Sequence, residues 1–82
     1  MLTELENAAK KVVGVKQVRR TMADGRAVCL FMARDADPQL IGPLERQAAE
    51  QGVEICWAAS MRELGRACGI AVGAAVAAIE KR

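Results

Sequence analysis

The start of the chain has apolar residues at helical spacing. Thr3-Glu4-Leu5-Glu6 has the form of a capping box, and apolar residues then recur with a helical period as far as Val13. We predict a first helix over this stretch, broken by Gly14. A second short helix begins near Lys16, carries a buried stripe of apolar residues, and ends at Asp24-Gly25.

Three later stretches have the pattern of strands. Ala27–Ala33 is a continuous apolar run bounded by charge, which predicts a central strand covered on both faces. Val53–Trp57 alternates and is rich in β-branched and aromatic residues, so it predicts a second strand. Ala74–Ile79 is short and follows two glycines, and strands that alternate with helices favour a final strand here over another helix.

Two helices lie between these strands. Asp37 before Pro38 is an N-cap signal, and an apolar stripe continues to Gly52. Gly42-Pro43 interrupts the stripe, so we expect either a kink or a helix that begins only at Pro43. Ser60–Glu63 is another capping box, which predicts a short helix with Met61, Leu64 and Cys68 inward and Gly69 as its end.

Length and composition indicate one domain over residues 1–82. A chain of 82 residues and 8.8 kDa is too small to divide into two cores, and 52% apolar residues suffice for one. The three cysteines are widely spaced and there is no histidine, so neither a disulfide framework nor a metal site is indicated. We expect small buried thiols in a reducing compartment.

No stretch has the length of a membrane span. The longest strongly apolar run, Ala67–Ile79, falls short of the roughly 20 residues that a bilayer requires. Glu4 and Glu6 occupy the place where a signal peptide would carry cations. We therefore expect a cytoplasmic protein with no membrane partner.

Positive charge is concentrated near the start of the chain. Residues 10–26 hold six cations and one acid, whereas the other 65 residues hold six cations and nine acids. This distribution fits an anionic partner met at one place, and a solvated helix face is the alternative.

Lys16, Arg19 and Arg20 lie within one turn at a predicted helix start, where like charges and the helix dipole both oppose them. Free amide groups and these cations together form an anion site, for which RNA phosphates are a natural ligand. Gln17 adds a side chain that donates and accepts at once, as a base edge requires.

Two aliphatic residues stand between glycines near the end of the chain. Ile70 and Val72 flank Ala71, with Gly69 before them and Gly73 after. One interpretation is that they anchor a loop in the core. The other is that they present an apolar surface to an unstacked RNA base.

The sequence has few side chains of the kinds that catalyse reactions. Histidine and tyrosine are absent and the carboxylates are scattered, so we expect no enzymatic activity and no cofactor. Asp35 and Asp37 are candidates for a carboxylate pair, although Asp37 is better explained as an N-cap. Trp57 and Phe31 both fall in predicted strands, which disfavours an aromatic stacking platform.

Three blocks together resemble the kink-turn-binding ribosomal protein family, the L7Ae and L30e superfamily, and most closely its small bacterial members. The blocks are Gly14–Arg20, Ala33–Pro38 and Leu64–Ala75. The resemblance implies a three-layer α/β/α sandwich with a small mixed four-stranded sheet, including a strand around Val12–Val15 that the pattern alone does not indicate. It also implies binding to kink-turn RNA, a bent helix whose bulge precedes sheared G·A pairs.

The resemblance implies a role for particular residues. The start of the second helix takes the position that contacts guanine edges and phosphates, and the loop Gly69–Val72 takes the position that packs on the displaced bulge nucleotide. The RNA-binding residues expected on this basis are Gly14, Lys16, Gln17, Arg19, Arg20, Arg34, Gly69, Ile70, Ala71 and Val72. The expected protein is a monomer that binds structured RNA, with the ribosome as a further candidate partner.

The chain departs from the family pattern at two places. Archaeal and eukaryotic members typically have Asn-Glu where this chain has Lys16-Gln17, which exchanges a carboxylate for an amide and adds a positive charge. Ala71 stands where a glutamate is common. For the Lys16-Gln17 pair we expect looser specificity and a greater dependence on phosphate contacts. Small bacterial relatives resemble this chain at the Lys-Gln pair, so this departure also fits membership of that subgroup.

Overall fold

The computed structural model describes residues 2–81, which form four helices and four strands. The helices are α1 (Thr3–Asn7), α2 (Val15–Ala23), α3 (Pro38–Gln51) and α4 (Met61–Ala67). The strands are β1 (Lys11–Val13), β2 (Ala27–Ala33), β3 (Glu54–Ala58) and β4 (Val76–Glu80). The predictions for α2, β2, β3, α4 and β4 are confirmed to within a few residues. Within this described part of the chain, every helix is too short or too polar to span a bilayer.

The strands form one mixed sheet in the order β1-β4-β2-β3. β2 runs parallel to β3, so that Met32 pairs with Trp57. β4 runs antiparallel to both β1 and β2, so that Val76 at its start pairs with Met32. The last residues of β1, β2 and β3 and the first residues of β4 therefore meet at one end of the sheet, which we call the upper end.

Helices cover both faces of this sheet. Leu30 and Phe31 are neighbours in β2 and point to opposite faces, and both are fully buried. Helix α2 packs against α3 and β4, whereas α1 packs against α4, which in turn packs on β2 and β3. The three-layer α/β/α sandwich with a small mixed four-stranded sheet is confirmed.

The first helix is shorter than its periodicity predicts. It ends at Asn7, and Ala8 already has an extended backbone. Val12 and Val13 pair instead with Ala78 and Ala77 of β4. The prediction of a helix to Val13 is wrong because the sheet offers these residues backbone partners. The strand implied by the family resemblance is present and lies one to two residues earlier than expected.

The predicted capping box at Thr3 does not form either. The residue before the helix is Leu2, which supplies no side-chain cap, and Thr3 is the first helical residue. At the other end of α1, the Lys11 Nζ donates to the carbonyl oxygens of Leu5 at 3.2 Å and Glu6 at 3.4 Å. Lys11 thereby satisfies acceptors that a helix of five residues leaves open.

Helix α3 begins at Pro38 and not at Pro43. The Asp37 Oδ1 accepts from the Gln39 amide at 2.9 Å, which confirms the N-cap. Pro43 lies inside the helix and cannot donate to the Gln39 carbonyl. Because both residues are exposed, water can satisfy that oxygen. The Asp37 cap and exposure of this face to solvent thus keep the first turn helical despite Pro43.

Candidate nucleic-acid interface

Three segments that are distant in sequence lie together at the upper end of the sheet. Gly14–Arg20 follows β1, Arg34–Asp37 follows β2, and Gly69–Val72 precedes β4. A hydrogen bond joins the first segment to the start of β4, because the Gly14 amide donates to the Val76 carbonyl oxygen at 2.9 Å. The order and direction of the strands therefore place Gly14, Arg34, the loop Gly69–Val72 and the start of α2 with Lys16 and Gln17 at this end. Arg19 and Arg20 lie further along α2, and Arg20 belongs to its last turn.

Helix α2 begins with an open, positively polarised end. Gly14 precedes it with φ +100°, a conformation that favours glycine, and contributes no side-chain cap. The first turn also contains no acidic residue. Its amide groups therefore keep their capacity to bind an anion, and the helix dipole favours one there.

The outer face of α2 carries the predicted cations. Lys16, Arg19 and Arg20 are exposed, and together with Gln17 and Ala23 they form one open side of the helix. Within residues 2–81 none of these three cations forms an ion pair. This side of α2 therefore presents uncompensated positive charge to solvent.

Two other cations of the same basic stretch, Lys11 and Arg26, have partners within the protein. Lys11 caps α1, and the Arg26 guanidinium lies 3.9 Å from a carboxylate oxygen of Glu80. Fewer cations of this stretch are thus available to a ligand than the sequence pattern indicates. Three of the available ones, Lys16, Arg19 and Arg20, lie on α2.

The inner face of α2 is fixed to the fold. Val18 and Met22 are fully buried. The Thr21 Oγ1 donates to the Glu80 Oε2 at 3.1 Å, and the Gln51 Nε2 of α3 donates to the Met22 carbonyl at 3.1 Å. These contacts orient the helix, so its exposed side chains are presented on a rigid support.

The loop after α4 is closed by a Schellman motif. The Gly69 amide donates to the Arg66 carbonyl at 3.0 Å, and the Ile70 amide donates to the Gly65 carbonyl at 3.1 Å. Gly69 has φ +79°, as this motif requires at the residue after the cap. The prediction that Gly69 ends the helix is confirmed.

The aliphatic residues of this loop face solvent. Val72 is 70% exposed and Ile70 is 38% exposed. The interpretation that they anchor the loop in the core is therefore wrong. The upper end thus has an apolar patch, made of Ile70 and Val72, near a cationic helix.

The inward face predicted for α4 is confirmed in part. Leu64 and Cys68 are buried as expected, whereas Met61 is exposed, contrary to its predicted inward position.

Trp57 is a feature of this end that sequence reasoning missed. Its placement in β3 is confirmed, yet β3 is an edge strand and Trp57 remains 38% exposed. The Arg34 guanidinium carbon lies 5.8 Å from the centroid of this ring, in the range of a cation–π contact. An exposed arginine is thus held over a tryptophan face beside the predicted site.

The two aspartates of the loop after β2 both cap helices. Asp37 caps α3, and the Asp35 Oδ1 accepts from the Met61 amide of α4 at 2.8 Å. A carboxylate pair for acid–base chemistry is therefore not what these residues form. Their acceptors serve backbone amides.

The surroundings of the three cysteines disfavour the thiolate form. Burial raises the pKa of the Cys29 thiol from 9.0 to about 11, with smaller contributions from Cys56, Glu4 and Glu54. Burial also raises the pKa values of Cys56 and Cys68. All three thiols are free. Among residues 2–81 no three His, Cys, Asp or Glu side chains lie close enough to hold a metal ion.

Comparison with known proteins identifies the class of protein to which this chain belongs. The family model described as Ribosomal protein L7Ae/L30e/S12e/Gadd45 family matches residues 1–82. The chain is a member of this family.

Individual relatives agree with this assignment. The chain is 44% identical over 72 residues to an RNA-binding protein of Geobacillus sp. (strain WCH70), with 88% of each chain covered. It is 38% identical over 69 residues to an RNA-binding protein of Caldanaerobacter subterraneus subsp. tengcongensis, with 84% of each covered. Among solved structures, the Giardia lamblia 15.5kD RNA binding protein superimposes with a TM-score of 0.87 at 28% identity, covering 99% of this chain and 71% of that one.

Proposed function

We propose that this protein binds RNA without catalysing a reaction, and that its target is the kink-turn, with a bulge followed by sheared G·A pairs. The observation that carries the proposal is the convergence of the α2 start and the loop Gly69–Val72 at the upper end of the sheet, next to the Gly14–Val76 hydrogen bond. Membership of the family and the RNA-binding relatives support the same class of ligand.

The start of α2 supplies the contacts to the RNA backbone and to the G·A pairs. Lys16 at this start and Arg19 and Arg20 further along the same helix neutralise phosphates, and the open amide groups of the first turn donate hydrogen bonds to an anion. Gln17 stands at the same turn, where its amide can pair with a purine edge. Phosphate contacts fix the register of the RNA, and Gln17 supplies the base recognition.

The loop after α4 supplies the apolar contact. A base displaced from a bulge exposes both of its faces to water, and Ile70 and Val72 offer an aliphatic surface that is also exposed. Contact between the base and these two side chains removes apolar surface of each from water. Because the Schellman motif already orders the start of the loop, binding costs little conformational entropy there.

A paired binding measurement tests this function. Wild-type protein is titrated with a kink-turn RNA and with a matched RNA whose G·A pairs are replaced by Watson–Crick pairs, at the same salt concentration. We expect the kink-turn RNA to bind at least about tenfold more tightly, as expected from base-edge recognition. Equal affinity for the two RNAs would refute kink-turn recognition.

A second candidate follows from the same exposed loop. Val72 is 70% exposed, and an apolar patch of this kind also suits docking of a protein partner. Such docking would resist salt and would persist when Arg20 is replaced by alanine. RNA binding through α2 would weaken under both conditions, so the two functions are separable in one set of titrations.

We further propose that the protein acts as a monomer in the cytoplasm, with the ribosome as one candidate location of its RNA. Family membership supports the ribosome as a candidate, since the family includes ribosomal proteins. Crosslinking in cells followed by sequencing of the bound RNA tests this point. Recovery of ribosomal RNA would support a location on the ribosome, whereas recovery of other kink-turn RNAs alone would exclude the ribosome as that location.

A further inference from the structure

The loop Gly69–Val72 is tied to the first residue of α4. The Ala74 amide donates to the Met61 carbonyl oxygen at 2.9 Å. Just before it, Gly73 packs so closely on Met61 that an added β-carbon would lie 3.2 Å from the Met61 Cβ. The position of Met61 therefore sets where the loop leaves α4 and enters β4.

Met61 is in turn held from another part of the chain. Its amide donates to the Asp35 Oδ1 at 2.8 Å, across 26 positions of sequence. Asp35 lies in the loop that follows β2, at the upper end of the sheet. The two backbone groups of Met61 thus connect the loop after β2 with the loop before β4.

We propose that Asp35 is a positioning residue for RNA recognition. It holds Met61, and through Met61 it holds Ile70 and Val72 where they meet the displaced base. This inference rests on the proposed RNA-binding function. It also explains why an acidic residue stands beside a surface that binds phosphates, where its charge alone would oppose the ligand.

The contribution of Asp35 is distinct from ordinary capping of α4. The Ser60 Oγ accepts from the Glu63 amide at 3.1 Å, so the first turn already has its own cap. Asp35 binds a different amide and comes from a different element. Loss of Ser60 should therefore weaken the helix, whereas loss of Asp35 should release the helix from the loop after β2.

Four variants separate these effects. Asp35→Ala removes the acceptor, and Asp35→Asn keeps an acceptor while removing the charge. Asp37→Ala removes a charge and a helix cap from the same loop, but from α3. Ser60→Ala removes the local cap of α4. Each is titrated with a kink-turn RNA and with the same RNA carrying an abasic bulge, and the ratio of the two affinities is the readout.

We expect Asp35→Ala to reduce this ratio by about fivefold, the size of a lost capping bond. Asp35→Asn, Asp37→Ala and Ser60→Ala should keep the wild-type ratio. An unchanged ratio in Asp35→Ala would overturn the proposal. An equal loss in Ser60→Ala would do so as well, because the effect would then be general weakening of α4. An equal loss in Asp35→Asn would assign the effect to charge and also reject the positioning role.

A measurement without RNA keeps the inference separate from the proposed function. Hydrogen exchange of the Ala74 amide in the free protein reports whether the loop is held to Met61. We expect faster exchange in Asp35→Ala and wild-type exchange in Asp37→Ala. If wild-type protein fails to distinguish the RNAs, the proposed function fails, while unchanged Ala74 exchange in Asp35→Ala would refute the link from Asp35 to the loop.

Discussion

The carbonyl oxygen of Val72 occupies the space that a β-carbon on Gly65 would need. Gly65 lies inside α4, so the loop carrying the apolar patch passes directly over the helix at this residue. The contact involves backbone atoms, which cannot rotate away as a side chain can. Glycine is therefore required here for close approach, although its φ is not positive.

Gly65→Ala should destabilise the protein and displace the loop. We expect a loss of about 1–3 kcal/mol in the free energy of unfolding, as for other overpacked sites. Urea denaturation measures it. Gly42→Ala is the matched control, because Gly42 is also helical and its β-carbon would meet only the Arg46 side chain at 3.8 Å. The control should gain about 0.5–1 kcal/mol from helix propensity. A Gly65 variant as stable as the control would contradict the close approach.

Lys16→Ala and Arg20→Ala should each reduce the salt dependence of RNA binding. Each contact to a phosphate contributes about one to the slope of log affinity against log salt, so each variant should lower the slope by about one. Titrations at several salt concentrations give the slope. Lys81→Ala is the control, since Lys81 is exposed at the opposite end of the sheet. A slope that does not change in the α2 variants would mean that these side chains do not contact phosphates.

Gln17→Ala should affect selectivity more than overall affinity. If Gln17 pairs with a purine edge of the G·A pairs, its loss removes about 1–3 kcal/mol from binding to the kink-turn RNA. Binding to the Watson–Crick control RNA should stay the same. The difference between the two RNAs is the measured quantity. Equal weakening toward both would assign Gln17 to the RNA backbone instead.

Val72→Ser should weaken RNA binding without weakening the fold. Because Val72 is 70% exposed, the free energy of unfolding should change by less than about 0.5 kcal/mol. Affinity for an RNA with a bulged base should fall by about fivefold, on the basis of roughly 1 kcal/mol from apolar contact. Val28→Ser is the control, since Val28 is 51% exposed at the opposite end of the sheet. Equal affinities for the two variants would exclude Val72 from the interface.

The buried Cys29 thiol should make stability fall at high pH. Its pKa is raised to about 11 in the folded protein, so the unfolded chain loses this proton first, near pH 9. The stabilisation is present below pH 9 and is lost as the pH rises toward 11, by about 1.4 kcal/mol for each pH unit. Urea denaturation of wild type and Cys29→Ala at pH 8, 9 and 10 isolates the effect from lysine titration. A constant difference between the two proteins would contradict the raised pKa.

Local sequence signals predict most elements of this fold. The apolar run of β2 and the caps at Asp37 and Ser60 act within a few residues, and each is present as predicted. The local pattern does not indicate strand β1, because its three residues also fit a helical stripe. What makes them a strand is pairing with β4, more than 60 positions away, and no local pattern records that partner.

The candidate site shows the same difference between local sequence signals and contacts that form only on folding. Residue types on α2 and in the loop after α4 are sufficient to select candidates, because charge and glycine spacing are local properties. Exposure of Val72, the contact of Arg34 with Trp57, and the bond from Met61 to Asp35 depend on which elements become neighbours. Sequence alone therefore left open whether the loop residues lie in the core.

The hydrogen bond between Gly14 and Val76 joins two parts of the chain that are close only after folding. A ligand held across this junction has no binding surface on the unfolded chain. By mass action, such a ligand at 100 times its dissociation constant adds about 2.7 kcal/mol to the free energy of unfolding. For a domain this small, that is a large share of the typical total, so occupancy by RNA and persistence of the fold become thermodynamically linked.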